Sequence, residues 1–188
     1  MKYDRDTLIR RRSEGEALQY ILFWGHTEKP GSATKACLSQ WYPCRFVCDG
    51  AVYCCTEQYM MAQKALLFGD RTAYEKIMAS DQPKEIKVLG REITGFEQDK
   101  WDQYKYQIVL KGNTAKFLQN ECLKRFLLDT EEAVLAEASP YDSIWGIGLS
   151  SDHPQAGDAS CWRGENLLGF ALMETRDILR SIEAGLRD

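Results

Sequence analysis

Toward the C-terminal end of the chain, Leu168, Ala171, Leu172, Thr175, Ile178, Leu179 and Ile182 recur at spacings of three and four residues. This spacing predicts a long amphipathic helix whose apolar face must be buried, so the fold is built on helix packing. With 188 residues, the chain can supply the partner surface from one domain and is too short for two comparable ones.

The same reasoning predicts helices over Thr56 to Gly69, Asp70 to Ser80, Pro83 to Glu92, Gln98 to Lys111, Thr114 to Leu128 and Thr130 to Glu137. Gly112-Asn113 is expected to break or bend the chain, the Thr56 hydroxyl to cap the first of these helices, and Gly69 to end it. Strand signals are few. "YILFW" at 20 to 24 reads as a short buried strand, followed by a loop with Pro30, Gly31 and Ser32. "CRFVCDGAVYCC" reads as two short runs joined by Asp49-Gly50, a pair that accepts the positive φ angles of a type I′ turn. The predicted class is α+β: a mainly α-helical single domain with a small β-hairpin. Residues 1–18 form a polar N-terminal segment, in which Arg10, Arg11 and Arg12 among acidic neighbours read as a solvated end rather than a binding arm. Residues 19–188 form the domain proper.

A net charge of -4 and a pI near 5.4 exclude strong non-specific binding to nucleic acid, which depends on basic surface. Five Trp residues supply core area and can also stack on bases. The chain has neither a leader-like start nor an apolar run of the roughly 18 to 20 residues a membrane span needs. A cytoplasmic protein is expected, or a nuclear one in a eukaryote. The seven Cys include no C-x-x-C pair and only two His accompany them. Reduced, partly buried thiols are the main reading, and a zinc site from Cys44, Cys48 and Cys54 or Cys55 the lesser one.

Three segments carry chemistry. In "TEQYMMAQKALLFG", Glu57, Met61 and Lys64 fall on one helical stripe, with the acid and the amine about 10 Å apart along the axis at the usual rise of about 1.5 Å per residue. The stripe can wall an active site. Spacing alone favours the blander alternative, an exposed first-turn glutamate and a lysine that snorkels to water. In "EASPYDSIWGIGL", a loop by its Pro and Gly content is unusually apolar. Asp142 there stands near Trp145, while Gly146 and Gly148 permit close approach to a ligand. The alternative is a turn-capping Asp and a core Trp. In "CWRGENLLGFALM", Arg163 and free N–H groups at a helix start capped by Asn166 suit a phosphate, with plain capping as the equal alternative.

Together these segments resemble the NADAR (NAD- and ADP-ribose-associated, YbiA-like) family. The matching pieces are "FWGH" from 23, "LSQWYPCRF" with "DG" between 38 and 50, "TEQYMMAQKALLFGD" from 56, "LGR" from 89, "KW" from 100 and "KFLQN" from 116. "LAEASPYDSIWGIG" from 135 and "WRGENLLGFALMETR" from 162 complete the set. The resemblance implies a catalytic domain that hydrolyses an N-glycosidic bond, removing ADP-ribose from ADP-ribosylated guanine in DNA, RNA or a nucleotide. Alternatives within it are cleavage of ribosylated pyrimidine intermediates of riboflavin synthesis, and a non-catalytic ADP-ribose reader.

Carried over position by position, Glu57, Lys64 and Asp142 become the catalytic candidates. Trp101, Asn120, Trp145, Gly146, Gly148, Trp162, Arg163 and Asn166 become candidate substrate-binding positions. Glu57 would be general acid or base, Lys64 a Schiff-base nucleophile, and Asp142 an orienting group for ribose hydroxyls or an aid to proton transfer. Neither route calls for a metal or another cofactor. This chain departs from many relatives at Gln58, where they have His, and at Gln40, where they have Asn.

Overall fold

The computed structural model describes residues 1–27 and 33–185, so the loop expected at Pro30, Gly31 and Ser32 lies outside the described residues. The described chain runs α1 (Arg5–Ser13), β1 (Tyr20–Phe23), β2 (Phe46–Cys48), β3 (Ala51–Tyr53), α2 (Thr56–Leu67), α3 (Arg71–Ala79), α4 (Pro83–Arg91), α5 (Gln98–Gln119), α6 (Glu121–Leu128), β4 (Val134–Glu137) and α7 (Leu167–Gly185). Short 3-10 turns lie at Lys35–Leu38 and Ala159–Cys161. This is the expected mainly helical α+β class. Two compact units divide it: Met1–Ser39 with Glu121–Asp188, and Gln40–Asn120. Among the described residues no helix is long and apolar enough to cross a membrane.

In the discontinuous unit, β1 lies parallel to β4, in register from Tyr20 against Val134 to Phe23 against Glu137. α7 packs directly on β4. A Cβ at Gly169 would fall 2.0 Å from the Leu135 carbonyl oxygen, so only glycine allows this approach. Of the three-and-four stripe, Leu168, Ala171, Leu172, Thr175 and Leu179 are buried, whereas Ile182 near the end of α7 is exposed. The short helix expected over Thr130 to Glu137 is instead a strand. Val134, Leu135 and Ala136 are enclosed, and a short apolar run buried on both faces has no polar alternation to reveal it.

The polar N-terminal segment is likewise ordered. Asp4 caps α1 by accepting from the Thr7 N–H at 2.7 Å, and Leu8 is buried. Arg5 donates to the carbonyl oxygens of Ala159 and Ser160 at 2.8 and 2.9 Å, and Tyr3 donates to Asp177 at 2.7 Å. Two members of the basic run are paired, Arg11 with Glu16 and Arg12 with Asp158. Both pairs lie at the surface, where the Arg12 side chain stays exposed.

In the continuous unit, β2 and β3 form the expected antiparallel hairpin, with Asp49 at φ 51° and Gly50 at φ 78° in its turn. α2 is its centre, packed by α3, α4 and α5. α5 runs unbroken through Gly112-Asn113, where a break or bend is expected from the sequence. A Cβ at Gly112 would lie 2.5 Å from Cδ1 of Tyr59, so this glycine serves a close helix crossing rather than a turn. The chain breaks instead at Asn120. Gly69, at φ 73°, ends α2 as expected, because the left-handed conformation costs glycine little.

Candidate active site

Entry into α2 is arranged by backbone and amide groups. Cys55, not Thr56, occupies the N-cap and supplies no side-chain cap. The Gln40 carbonyl oxygen accepts from the Glu57 N–H at 2.9 Å and from the Thr56 hydroxyl at 3.2 Å. Thr56 therefore enters the helix instead of capping it. Gln58 accepts from the Cys54 N–H at 2.8 Å and donates to the carbonyl oxygens of Ile77 and Ser80. At the position where many relatives have His, this chain has a buried amide that ties the start of α2 to the end of α3.

These contacts set Glu57 in the first turn of α2 at 3% exposure, where the helix dipole favours a carboxylate. The exposed glutamate of the blander reading is thus replaced by a buried one. Two turns further, Lys64 does not extend freely into water. Its Nζ donates to the Gly90 carbonyl oxygen at 2.8 Å and lies 4.3 Å from the ring centre of Phe96 and 5.6 Å from that of Trp101. Gly90 makes this reach achievable, since a Cβ there would collide with Met61 Sδ at 2.0 Å and hold α4 away. Burial, followed by the positive charge of Arg91, lowers the pKa of the Lys64 amine. A lowered pKa leaves more neutral amine near neutral pH, the form that attacks carbonyl carbon.

Trp101 is thereby brought to Lys64 as an expected wall. Phe96 and Gly90 were not singled out from the sequence. The one signal for Phe96 is a lone large apolar residue after Gly95 in a polar stretch, with Gly95 at φ 69°. Lys116 carries no signal of its own in the sequence: it is fully buried, with its amine 5.3 Å from the Tyr42 ring centre and 5.1 Å from that of Phe117. Asn120 holds the end of α5 by donating to the carbonyl oxygens of Lys116 and Arg45 at 2.8 and 3.2 Å.

The remaining expected residues belong to the other unit, where two loops close on each other through backbone. Asp142 Oδ1 accepts from the N–H groups of Ile144 and Trp145 at 3.0 and 2.8 Å, which is the turn-capping alternative. Carbonyl oxygens of Ser143, Ile144, Trp145, Gly146 and Ile147 receive the N–H groups of Arg163, Gly164, Glu165, Asn166, Leu167 and Leu168. The space of a Cβ at Gly146 is taken by the Glu137 and Asp142 carbonyl oxygens, and at Gly148 by Arg163. The close approach those glycines permit is therefore to the end of β4, to the Asp142 turn and to Arg163.

Asn166 is not a side-chain cap. At φ 56° and fully buried, it accepts from the Glu137 N–H at 3.0 Å and donates to the Leu135 carbonyl oxygen at 2.9 Å, spending its amide on β4. The N–H groups of Leu167 and Leu168, at the start of α7, are already bonded to the loop. The free donors expected for a phosphate there are thus engaged, and the exposed guanidinium of Arg163 is what stays open. Arg163 borders a pocket of about 440 Å³ shared with Asp4, Arg5, Asp6, Ser143 and Glu165. Trp162 is framework: its indole N–H donates to the Ala156 carbonyl oxygen at 2.8 Å, and its ring meets Tyr20 edge-on. None of the seven cysteines forms a disulfide, and among the described residues no three His, Cys, Asp or Glu side chains are grouped to hold a metal ion.

The architecture is thus that of a mainly helical α+β protein whose central helix carries a buried acid and a partly desolvated amine. The NADAR domain model matches residues 22–180, and the chain belongs to that family. It is 42% identical over 167 residues to N-glycosidase R617 of Acanthamoeba polyphaga mimivirus, covering 86% of this chain and 97% of that protein. It is 31% identical over 143 residues to riboflavin biosynthesis protein VVA0006 of Vibrio vulnificus, covering 76% of this chain and 35% of that one. The NMR structure of the Escherichia coli protein YbiA superposes with a TM-score of 0.71 at 26% identity, over 88% of each chain.

Proposed function

We propose that this protein is an N-glycosidase that removes ADP-ribose from ADP-ribosylated guanine in DNA, RNA or a nucleotide, with Lys64 as its attacking amine. The observation that carries this reading is the Lys64 amine held 4.3 Å from Phe96 and 5.6 Å from Trp101, with its pKa lowered by burial, on the same helix as the buried carboxyl of Glu57. Kinship with proteins named N-glycosidases supports the reaction class.

The chemistry follows from the aminal at C1′. Ring opening transfers the bonding pair of C1′–O4′ to O4′, which takes a proton, and leaves C1′ doubly bonded to the exocyclic nitrogen of guanine. The neutral Lys64 amine adds to C1′, and a proton moves to the guanine nitrogen. Guanine then departs with the C1′–N bonding pair, leaving C1′ joined to Nζ as an iminium. Water adds to C1′, the amine leaves, and the ribose aldehyde closes to the hemiacetal. The net change is one water consumed, with guanine and ADP-ribose released. Glu57 is assigned the general acid and base work, a role that contributes about 10²- to 10⁴-fold.

A riboflavin-pathway substrate is the second reading, favoured by the relative named for riboflavin biosynthesis. The test is release of ADP-ribose from an oligonucleotide carrying ADP-ribosylated guanine, comparing wild type, Glu57→Gln and Lys64→Ala. Both variants should lose at least about a hundredfold in rate. Full activity in both would overturn the assignment, and turnover of a ribosylated pyrimidine alone would select the second reading.

A further inference from the structure

Phe96 is 40% exposed, and a ring at the edge of the core can have a use besides packing. Its neighbours show one. The ring lies 5.2 Å from that of Phe68, and the Lys64 amine stands over it at 4.3 Å, well inside the distance at which a cation is drawn to a π face. Trp101 closes a second side at 5.6 Å, and the Gly90 carbonyl oxygen accepts the amine's hydrogen bond. Gly95, at φ 69°, turns the chain immediately before Phe96 in a conformation other residues rarely adopt. The nitrogen therefore meets two π faces and a carbonyl dipole, all of which attract positive charge.

We propose that Phe96 and Trp101 form a π cage built to hold a cation at the Lys64 nitrogen: the ammonium at rest, and the iminium once C1′ is bonded to it. The inference rests on the lysine-attack reading for its second half, since only that route places an iminium at Nζ. Phe96 is then a positioning residue. Its ring fixes the amine between attacks and stabilises the charge that appears when guanine leaves, with no change in the number of bonds it makes. The charged groups on the packed elements do not perform this task. Arg91 of α4 opposes a cation at Nζ. Lys100 of α5 donates to the Leu67 carbonyl oxygen and lies over Phe68 instead. Glu57 stands seven residues earlier on α2 itself.

Two substitutions separate the π face from the apolar cover. Phe96→Leu keeps the cover and removes the face, so the Lys64 pKa should fall. Phe96→Ala admits water, so it should rise. Reductive methylation with 13C-formaldehyde, with the Lys64 signal assigned by its loss in Lys64→Arg, reads that titration by NMR without any turnover. At the pH plateau of each enzyme, Phe96→Leu should lower kcat about twofold to thirtyfold, the range of one cation–π contact, and Phe96→Tyr should stay near wild type. A Phe96→Leu enzyme matching wild type in both titration and plateau kcat would overturn the cage. A lowered melting temperature with the titration unmoved would assign Phe96 a merely structural role and overturn it as well. Absence of a borohydride-trapped adduct in wild type refutes attack by Lys64, and the titration then decides the cage by itself.

Discussion

The helix α2 and the paired loops at 142–148 and 161–166 were both expected to carry chemistry, yet they treat polar groups in opposite ways. On α2, a carboxyl is buried and an amine is partly withdrawn from water, and one carbonyl oxygen and two aromatic rings meet the amine. In the loops, Asp142 and Asn166 are spent on backbone N–H and carbonyl groups. A polar side chain near glycines thus has two meanings. Where secondary structure already satisfies the backbone, the side chain can be set in a poorly solvated place and tuned. Where it does not, the side chain is consumed in holding the loop.

The largest expected effect breaks the α2 side of this contrast. Borohydride should trap a ribosyl adduct on Lys64 in wild type and none in Lys64→Ala, and peptide mapping checks the position. Lys116 is the rival amine, but it is fully buried, whereas Lys64 is only partly buried and can meet a substrate. An adduct on Lys116 would transfer the nucleophile's role there. The pH profile sharpens the same point. Only the neutral amine attacks, and burial lowers its pKa, so the rate should rise with pH through a limb below the ordinary lysine value of about 10.4. A limb at or above that value would mean that burial does not tune the amine.

On the loop side, Gly164→Ala should be the most damaging single methyl. Its Cβ would lie 2.2 Å from the Gly146 carbonyl oxygen, a backbone atom with little freedom to retreat. The expected loss is about 3 kcal/mol, at the upper end of ordinary overpacking, measured by urea unfolding. Gly112→Ala should cost less, about 1 to 2 kcal/mol. Its Cβ meets the Tyr59 ring, a side chain that can shift, and alanine recovers about 1 kcal/mol of helix propensity. Equal losses at the two sites would mean that loop closure is no stiffer than helix packing.

Gly112 also shows where sequence reading ends. Asp49-Gly50, Gly69 and the spacing along α7 announce themselves because local backbone geometry dictates the residue type. Gly112 looks equally local, yet its cause is Tyr59, a residue 53 positions away along the chain. The β4 run reads as a helix in the sequence for a similar reason: its burial comes from β1 on one side and α7 on another, neither encoded within the run itself. At the site, Glu57, Lys64 and Trp101 were legible as residue types in a family pattern. Phe96 was not, and the "LGR" match did not disclose what Gly90 does, because these roles arise only when α4 and the segment before α5 meet α2. The engagement of the α7 start was hidden as well, since backbone carbonyl oxygens have no letter in the sequence.

The smallest expected effect decides the standing of Asp142. Its Oδ1 caps the turn by accepting two N–H groups, and an asparagine oxygen can accept the same pair. Asp142→Asn should therefore change stability by less than about 0.5 kcal/mol, while Asp142→Ala should lose about 1 kcal/mol with the cap. If Asp142 only shapes the loop, Asp142→Asn retains ADP-ribose release from the modified oligonucleotide and Asp142→Ala loses it in step with stability. If its negative charge orients ribose hydroxyls, Asp142→Asn folds like wild type and still loses activity. That second outcome would mean that a carboxylate can serve the backbone with one oxygen and a substrate with the other. The division between tuned helix groups and consumed loop groups would then hold atom by atom rather than residue by residue.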